Sequence, residues 1–214
     1  MNARDKILGR IREGRSRMQT DIPMENVARH LAWHPRGPFP PPHNDLAACF
    51  KERAIKLSSD VLETNDRTEV PELLARYLGE RELPMRGVCW PSLAGLPWSA
   101  AGLDMQIRPA TDQDLVGATG AFCAIAETGT LMLLSGEQTP ATTSLLPETH
   151  VAVVDPRRIV ATMEDAWDLM RKESNQPPRA VNFISGPSRT ADIEQTVTLG
   201  AHGPYRVLLI LAPA

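Results

Sequence analysis

The sequence predicts an α/β fold built on a mostly parallel sheet. Short apolar runs of strand length, at 60–63, 87–90, 104–107, 150–154, 180–184 and 206–211, alternate with segments whose apolar residues recur at helical spacing. Prolines number 19, nearly twice the ~5% usage of an average protein, and they punctuate the loops between those runs. At 214 residues, with 42% hydrophobic and 23% charged content, the chain can bury one full core and carry an appended segment.

Residues 3–18 read as a helix, with Ile7, Leu8 and Ile11 on one side and Arg4, Lys6, Arg10, Arg12, Arg15 and Arg17 around the rest, opposed only by Asp5 and Glu13. A docking helix, a membrane-surface helix and an organellar presequence all share that pattern. The small apolar face and the scarcity of serine favour a helix that packs on a partner or on its own body. Residues 20–43 read as irregular and close in the stiff run Pro35-Arg36-Gly37-Pro38-Phe39-Pro40-Pro41-Pro42. The expected organisation is a basic helix and Pro-rich arm over 1–43 and a compact domain over 44–214.

Within that domain, Leu46, Phe50, Ala54 and Leu57 mark a helix over 45–57, and Pro71 opens another over 70–78. Trp33, Trp90 and Trp98 read as packing anchors. Small residues dominate 114–130, which lets the backbone approach a neighbour closely. A polar loop covers 138–144. Ile159, Met163, Trp167 and Met170 suggest a helix that starts at Asp155-Pro156, and a strand at 180–184 leads into a Gly-Pro turn, a short helix ending near Gly200 and the final strand.

Several function classes are disfavoured. A net charge of −3 gives no basic footprint for nucleic acid. No apolar run approaches the ~20 residues of a membrane span, so a cytoplasmic location is expected. Cys49, Cys89 and Cys123 lie far apart with no C-x-x-C pair, which excludes a self-contained zinc ribbon or iron–sulfur motif. They read as reduced core residues. His30 and His34 have helical spacing but sit in a Trp- and Pro-rich stretch, so no metal site is expected. Neither G-x-G-x-x-G nor a Walker sequence is present.

The chemistry concentrates in three places. In Ser185-Gly186-Pro187-Ser188-Arg189-Thr190-Ala191-Asp192, a tight turn feeding a helix would present backbone N–H groups at the positive end of a helix dipole. Arg189 supplies a forked cation, Ser188 and Thr190 supply hydroxyls, and Asp192 caps the helix with Gln195. Simple helix capping explains the same residues. Glu127 is flanked by an apolar strand and by Thr128-Gly129, which suits either a solvated hairpin corner or a general base or nucleophile in a pocket. His202, between glycines, faces either solvent or that pocket.

Three blocks carry a resemblance: Ala124-Ile125-Ala126-Glu127-Thr128-Gly129-Thr130, Ser144-Leu145-Leu146-Pro147-Glu148-Thr149-His150, and Gly186 through Glu194 with Leu199-Gly200-Ala201-His202-Gly203-Pro204. In this order and spacing they resemble the LUD domain of the lactate-utilisation protein C family, across roughly residues 45–211. The resemblance implies a three-layer sandwich related to glucosamine-6-phosphate isomerase, ribose-5-phosphate isomerase and CoA transferases. It implies a subunit of a complex oxidising L-lactate to pyruvate beside an iron–sulfur subunit and a cysteine-rich-domain subunit. Clusters are then expected in the partners, with no cofactor in this chain. The expected site binds a small carboxylate or phosphate through Thr128, Gly129, Thr130, Ser185, Gly186, Ser188, Arg189, Thr190 and Asp192, with Glu127 and His202 as proton-transfer groups and no metal. The alternative expectation is a stand-alone isomerase- or CoA-transferase-like enzyme on a phosphorylated or CoA substrate, with Glu127 as nucleophile or base.

Overall fold

The computed structural model describes residues 3–17, 24–33, 37, 44–174, 176–191, 197–200 and 202–214. The chain divides into two compact units, Met1–Pro38 and Phe39–Ala214. The first contains α1 (Ala3–Arg17) and α2 (Met24–Trp33). Helix α2 corrects the reading of 20–43 as irregular. Met24, Val27, Ala28 and Leu31 carry the i, i+3, i+4, i+7 pattern of an amphipathic helix, hidden by the prolines on either side of it. Trp33 is 75% exposed and anchors no core, unlike the buried Trp90 and Trp98. The Pro-rich run at 35–42 lies outside the described residues apart from Gly37.

The second unit begins with α3 (Leu46–Lys56), whose first turn is capped by the Asp45 carboxylate accepting from the Ala48 N–H. There follow β1 (Asp60–Glu63), α4 (Val70–Glu80), β2 (Arg86–Cys89), β3 (Asp104–Ile107), β4 (Val116–Gly120), β5 (Cys123–Ile125) and β6 (Thr130–Leu134). The chain continues through α5 (Thr142–Leu145), β7 (Thr149–Val154), β8 (Ile159–Val160), α6 (Met163–Glu173), β9 (Val181–Ile184), β10 (Arg189–Ala191), β11 (Val197–Leu199) and β12 (Arg206–Leu211). The main sheet has six strands in the order β1-β12-β7-β4-β2-β3, and every neighbouring pair is parallel. A second sheet, β8-β5-β6-β9, is mixed.

Period-two alternation sorts the side chains into layers. In β7 and β12, Val151, Val153, Leu208 and Ile210 pack with Leu74 and Leu78 of α4, while Ala152, Val154, Leu209 and Leu211 pack with Phe50 and Ala54 of α3. The second sheet repeats the device. Ala124, Leu131 and Leu133 join the α3 cluster, and Cys123, Ile125 and Met132 turn away to meet Ala166 and Met170 of α6. Each cysteine is a buried free thiol in a different cluster, as the sequence suggests. Burial raises the Cys123 thiol to about 11.

Three local readings need correction. Residues 156–162 do not form an α-helix: Asp155 caps a single 3-10 turn, β8 follows, and Thr162 and Asp165 form the capping box that starts α6. The 138–144 loop ends in the short helix α5. Among the described residues after Ser188, 189–191 and 197–199 are not helical but pair antiparallel as β10 and β11, in keeping with the β-branched Val197 and Thr198. Among the described residues no helix is long and apolar enough to cross a membrane.

Candidate functional site

The turns that stood out in the sequence converge on the last turn of α3. Residues 126–129 connect β5 to β6, with the Gly129 N–H donating to the Ile125 carbonyl at 2.9 Å. Gly129 has φ +65°, and a Cβ there would lie 2.5 Å from the Ala54 nitrogen and 2.7 Å from the Arg53 carbonyl carbon. Gly186 has φ +80°, and its Cβ would lie 2.3 Å from the Leu57 oxygen. Both positions therefore demand glycine twice, for the left-handed backbone and for the approach to α3. The Thr130 and Ser185 hydroxyls join the two turns at 2.7 Å.

Arg189 completes this assembly. Its Nη2 donates to the Leu57 carbonyl at 3.4 Å and to the Ser58 hydroxyl, placing a cation at the negative end of α3. The Ser188 N–H donates to the Pro204 carbonyl at 2.9 Å, and the Gly200 N–H donates to the Ser188 carbonyl at 2.9 Å. The structure thus brings Gly129, Thr130, Ser185, Gly186, Ser188 and Arg189 together with Gly200 and Pro204. This contact lies beside the starts of β1 and β12, at the amino edge of the main sheet, whereas open α/β sheets usually place ligands at the carboxyl edge. Arg189 meets the carbonyl end of α3, and among the described residues that follow it none is helical. Asp192 lies outside the described residues, and only the backbone of Thr190 is described.

Glu127 faces elsewhere. Its Oε1 accepts from the Met163 N–H at 2.8 Å and its own N–H donates to the Ala161 carbonyl at 3.1 Å. The carboxylate thus closes the positive end of α6 beside the Thr162–Asp165 capping box. Thr128 is exposed at the tip of the turn, and His202 is exposed in the bend before β12. No common point between Glu127 and His202 is built by these contacts.

Two features escaped the sequence reading. His150 in β7 is fully buried, with Nε2 2.8 Å from the Thr119 hydroxyl of β4 and Nδ1 without a partner. Burial lowers it to about 4, so the ring is neutral. Opposite it in register is Gly117, where a Cβ would lie 2.1 Å from the Thr143 carbonyl of α5. The clue was a histidine inside an otherwise apolar buried strand. The second feature is a cleft of about 490 Å³ at the carboxyl ends of β2 and β4, lined by Trp90, Ser92, Gly120, Phe122, Thr139 and Pro178 among others. Arg158 braces it: Nε donates to the Phe122 carbonyl at 2.9 Å, the guanidinium lies 4.8 Å from the Phe122 ring centre, and Nη1 and Nη2 hold the Glu173 carboxylate at 2.7 and 2.9 Å. Among the described residues, no group of three His, Cys, Asp or Glu side chains is disposed to hold a metal.

The LUD domain family model matches residues 47–212. The chain belongs to the LUD domain family. Curated relatives of this LUD domain protein include Lactate utilization protein C of Halalkalibacterium halodurans, 37% identical over 184 residues that cover 78% of this chain and 79% of that one. Lactate utilization protein C of Anoxybacillus flavithermus is 36% identical, covering 78% of this chain and 80% of the relative. The protein of that name from Bacillus subtilis is 30% identical, with 78% of each chain covered. Among solved structures, a DUF162 family protein from Deinococcus radiodurans matches with a TM-score of 0.58 and 24% identity, over 81% of this chain and 99% of that chain; this likeness bears on the fold alone.

Proposed function

We propose that this LUD domain protein is a non-redox subunit of a system that oxidises L-lactate to pyruvate, working beside an iron–sulfur subunit and a cysteine-rich-domain subunit. The similarity to Lactate utilization protein C from several bacteria, over about four fifths of each chain, carries this reading. The dispersal of Cys49, Cys89 and Cys123 among three separate apolar clusters supports placing the electron path in the partner subunits.

Within that role, the Arg189 assembly holds a small carboxylate or phosphate. Arg189 is exposed and spends one guanidinium nitrogen on Leu57 and Ser58, which leaves donors in the forked geometry that suits an oxyanion. The Thr130–Ser185 hydroxyl pair lies in the adjoining turn. Glu127, used as a cap on α6, fixes the β5–β6 turn that carries Thr128, Gly129 and Thr130.

Co-expression with the iron–sulfur and cysteine-rich proteins tests both parts. Lactate-dependent reduction of an artificial electron acceptor is expected to fall at least tenfold when this chain is omitted. Arg189→Ala is expected to raise the KM for lactate with assembly intact. Full activity without this chain would end the subunit reading, and an unchanged KM in Arg189→Ala would end the anion-site reading alone.

A further inference from the structure

A separate polar cavity of about 180 Å³ lies on the β2–β3 side of the main sheet, lined by Pro84, Arg86, Gly87, Gln106, Arg108, Thr111, Gln113, Asp114 and Leu115. It is smaller than the roughly 300–1,000 Å³ of sites for drug-sized ligands, so its size suits a few-atom ligand.

Its walls are fixed by one ion pair. Arg108 Nη1 and Nη2 each donate to the Asp114 carboxylate at 2.7 Å, in fork-to-fork geometry. Nε donates to the Gln106 amide oxygen at 2.9 Å, and Nη1 also donates to the Pro109 carbonyl at 3.1 Å. Asp114 Oδ2 additionally accepts from the Thr111 N–H and hydroxyl at 2.8 and 2.9 Å. Arg108 and the Thr111 donors hold the Asp114 carboxyl far below the usual carboxylate range. The aspartate is therefore ionised at any working pH, and both its oxygens are occupied.

The donor inventory then has a surplus. Gln106 has its oxygen engaged by Arg108, which leaves its NH₂ group. Gln113 brings an amide. Arg86 is exposed, and its side chain makes no hydrogen bond or ion pair among the described residues. The charged lining side chains are Arg86, Arg108 and Asp114, so the lining itself carries one net positive charge. Asp104 stands beside Arg86 in the β2–β3 register, but it does not line the cavity and the two form no ion pair. A small, donor-rich, net positive cavity whose own carboxylate is fully engaged calls for a ligand made of acceptors.

We propose that this cavity is a second small-oxyanion site, in which Arg86 binds phosphate or a short carboxylate against the wall that Asp114 fixes through Arg108. The site is independent of the Arg189 assembly. Its ligand contacts come from β2, β3 and the 108–115 loop, and Arg189 contributes none of them.

The test uses full-length protein carrying Arg189→Ala, so that failure here is distinct from failure there. Inorganic phosphate and L-lactate are titrated separately at constant ionic strength while backbone ¹H–¹⁵N shifts are followed. Saturable shifts at Thr111, Gln113 and Leu115 are expected with at least one anion, and whichever anion saturates identifies the ligand class. Arg86→Met is expected to weaken that binding at least tenfold without changing the melting temperature, and Gln113→Ala to weaken it severalfold. Absence of saturable shifts with both anions would overturn the proposal, as would equal affinity in Arg86→Met.

Discussion

The two faces of the six-stranded sheet come from the same strands yet follow different rules. Toward α4, Val116, Ala118, Val151, Val153, Leu208 and Ile210 present only hydrocarbon, and the face coheres by volume. On the opposite face, where β4 and β7 run under α5, the inward positions are Gly117, Thr119, His150 and Ala152. There the fit is set by close backbone approach and by one buried hydrogen bond. The first face should respond to lost volume, and the part of the second under α5 to added atoms and to protons.

Three measurements probe that contrast, and a fourth lies outside it. Leu208→Ala removes a fully buried side chain from the hydrocarbon face and should cost about 4 kcal/mol in urea unfolding, within the range for large-to-small core changes, whereas Leu208→Ile should cost less than about 1.5. Comparable losses for the two variants would show that this face is not held by volume.

On the polar face, His150 stays neutral in the sheet down to about pH 4 but binds a proton near 6.5 in the unfolded chain. Its contribution is therefore complete above pH 6.5 and is lost as pH falls from 6.5 through 4, reaching about 3 kcal/mol. The His150 C2 proton should hold its neutral shift from pH 8 to 5 in NMR. A midpoint near 6.5 in the folded protein would refute the burial argument.

Gly117→Ala places a methyl 2.1 Å from the Thr143 carbonyl and should cost about 2 kcal/mol through overpacking, read from thermal melts. An unchanged melting temperature would mean α5 yields freely. Away from both faces, Glu127→Ala removes one cap from α6 and should cost about 1 kcal/mol. A much larger loss would assign Glu127 more than a capping role in the fold.

The hydrocarbon face was legible in the sequence because alternation in 150–154 and 206–211 is a local pattern, and the strands at 60–63, 104–107 and 206–211 agree with the structure to the residue. The polar face was not. Gly117 among small residues signals close approach, but only the fold shows that the neighbour is Thr143. The turn after Ile184 was misread for a related reason. Cap-type residues at 188–192 fit a helix start, yet the β-branched Val197 and Thr198 pair back onto Ala191 and Thr190, and that pairing is a tertiary fact. Arg189 is expected from the sequence beside the positive end of a helix that follows it, whereas its guanidinium meets the carbonyl end of α3, 132 positions earlier in the chain at Leu57.

Only Ala121 and Phe122 separate β4 of the main sheet from β5 of the second sheet, and Arg158 rivets that junction to the end of α6 through Phe122 and Glu173. A joint this short and this braced has no residues to spare for bending. The second sheet is therefore a stiff bracket on the first, and a molecule settling in the cleft beside Phe122 would load both sheets at once, as a weight on a shelf loads the wall.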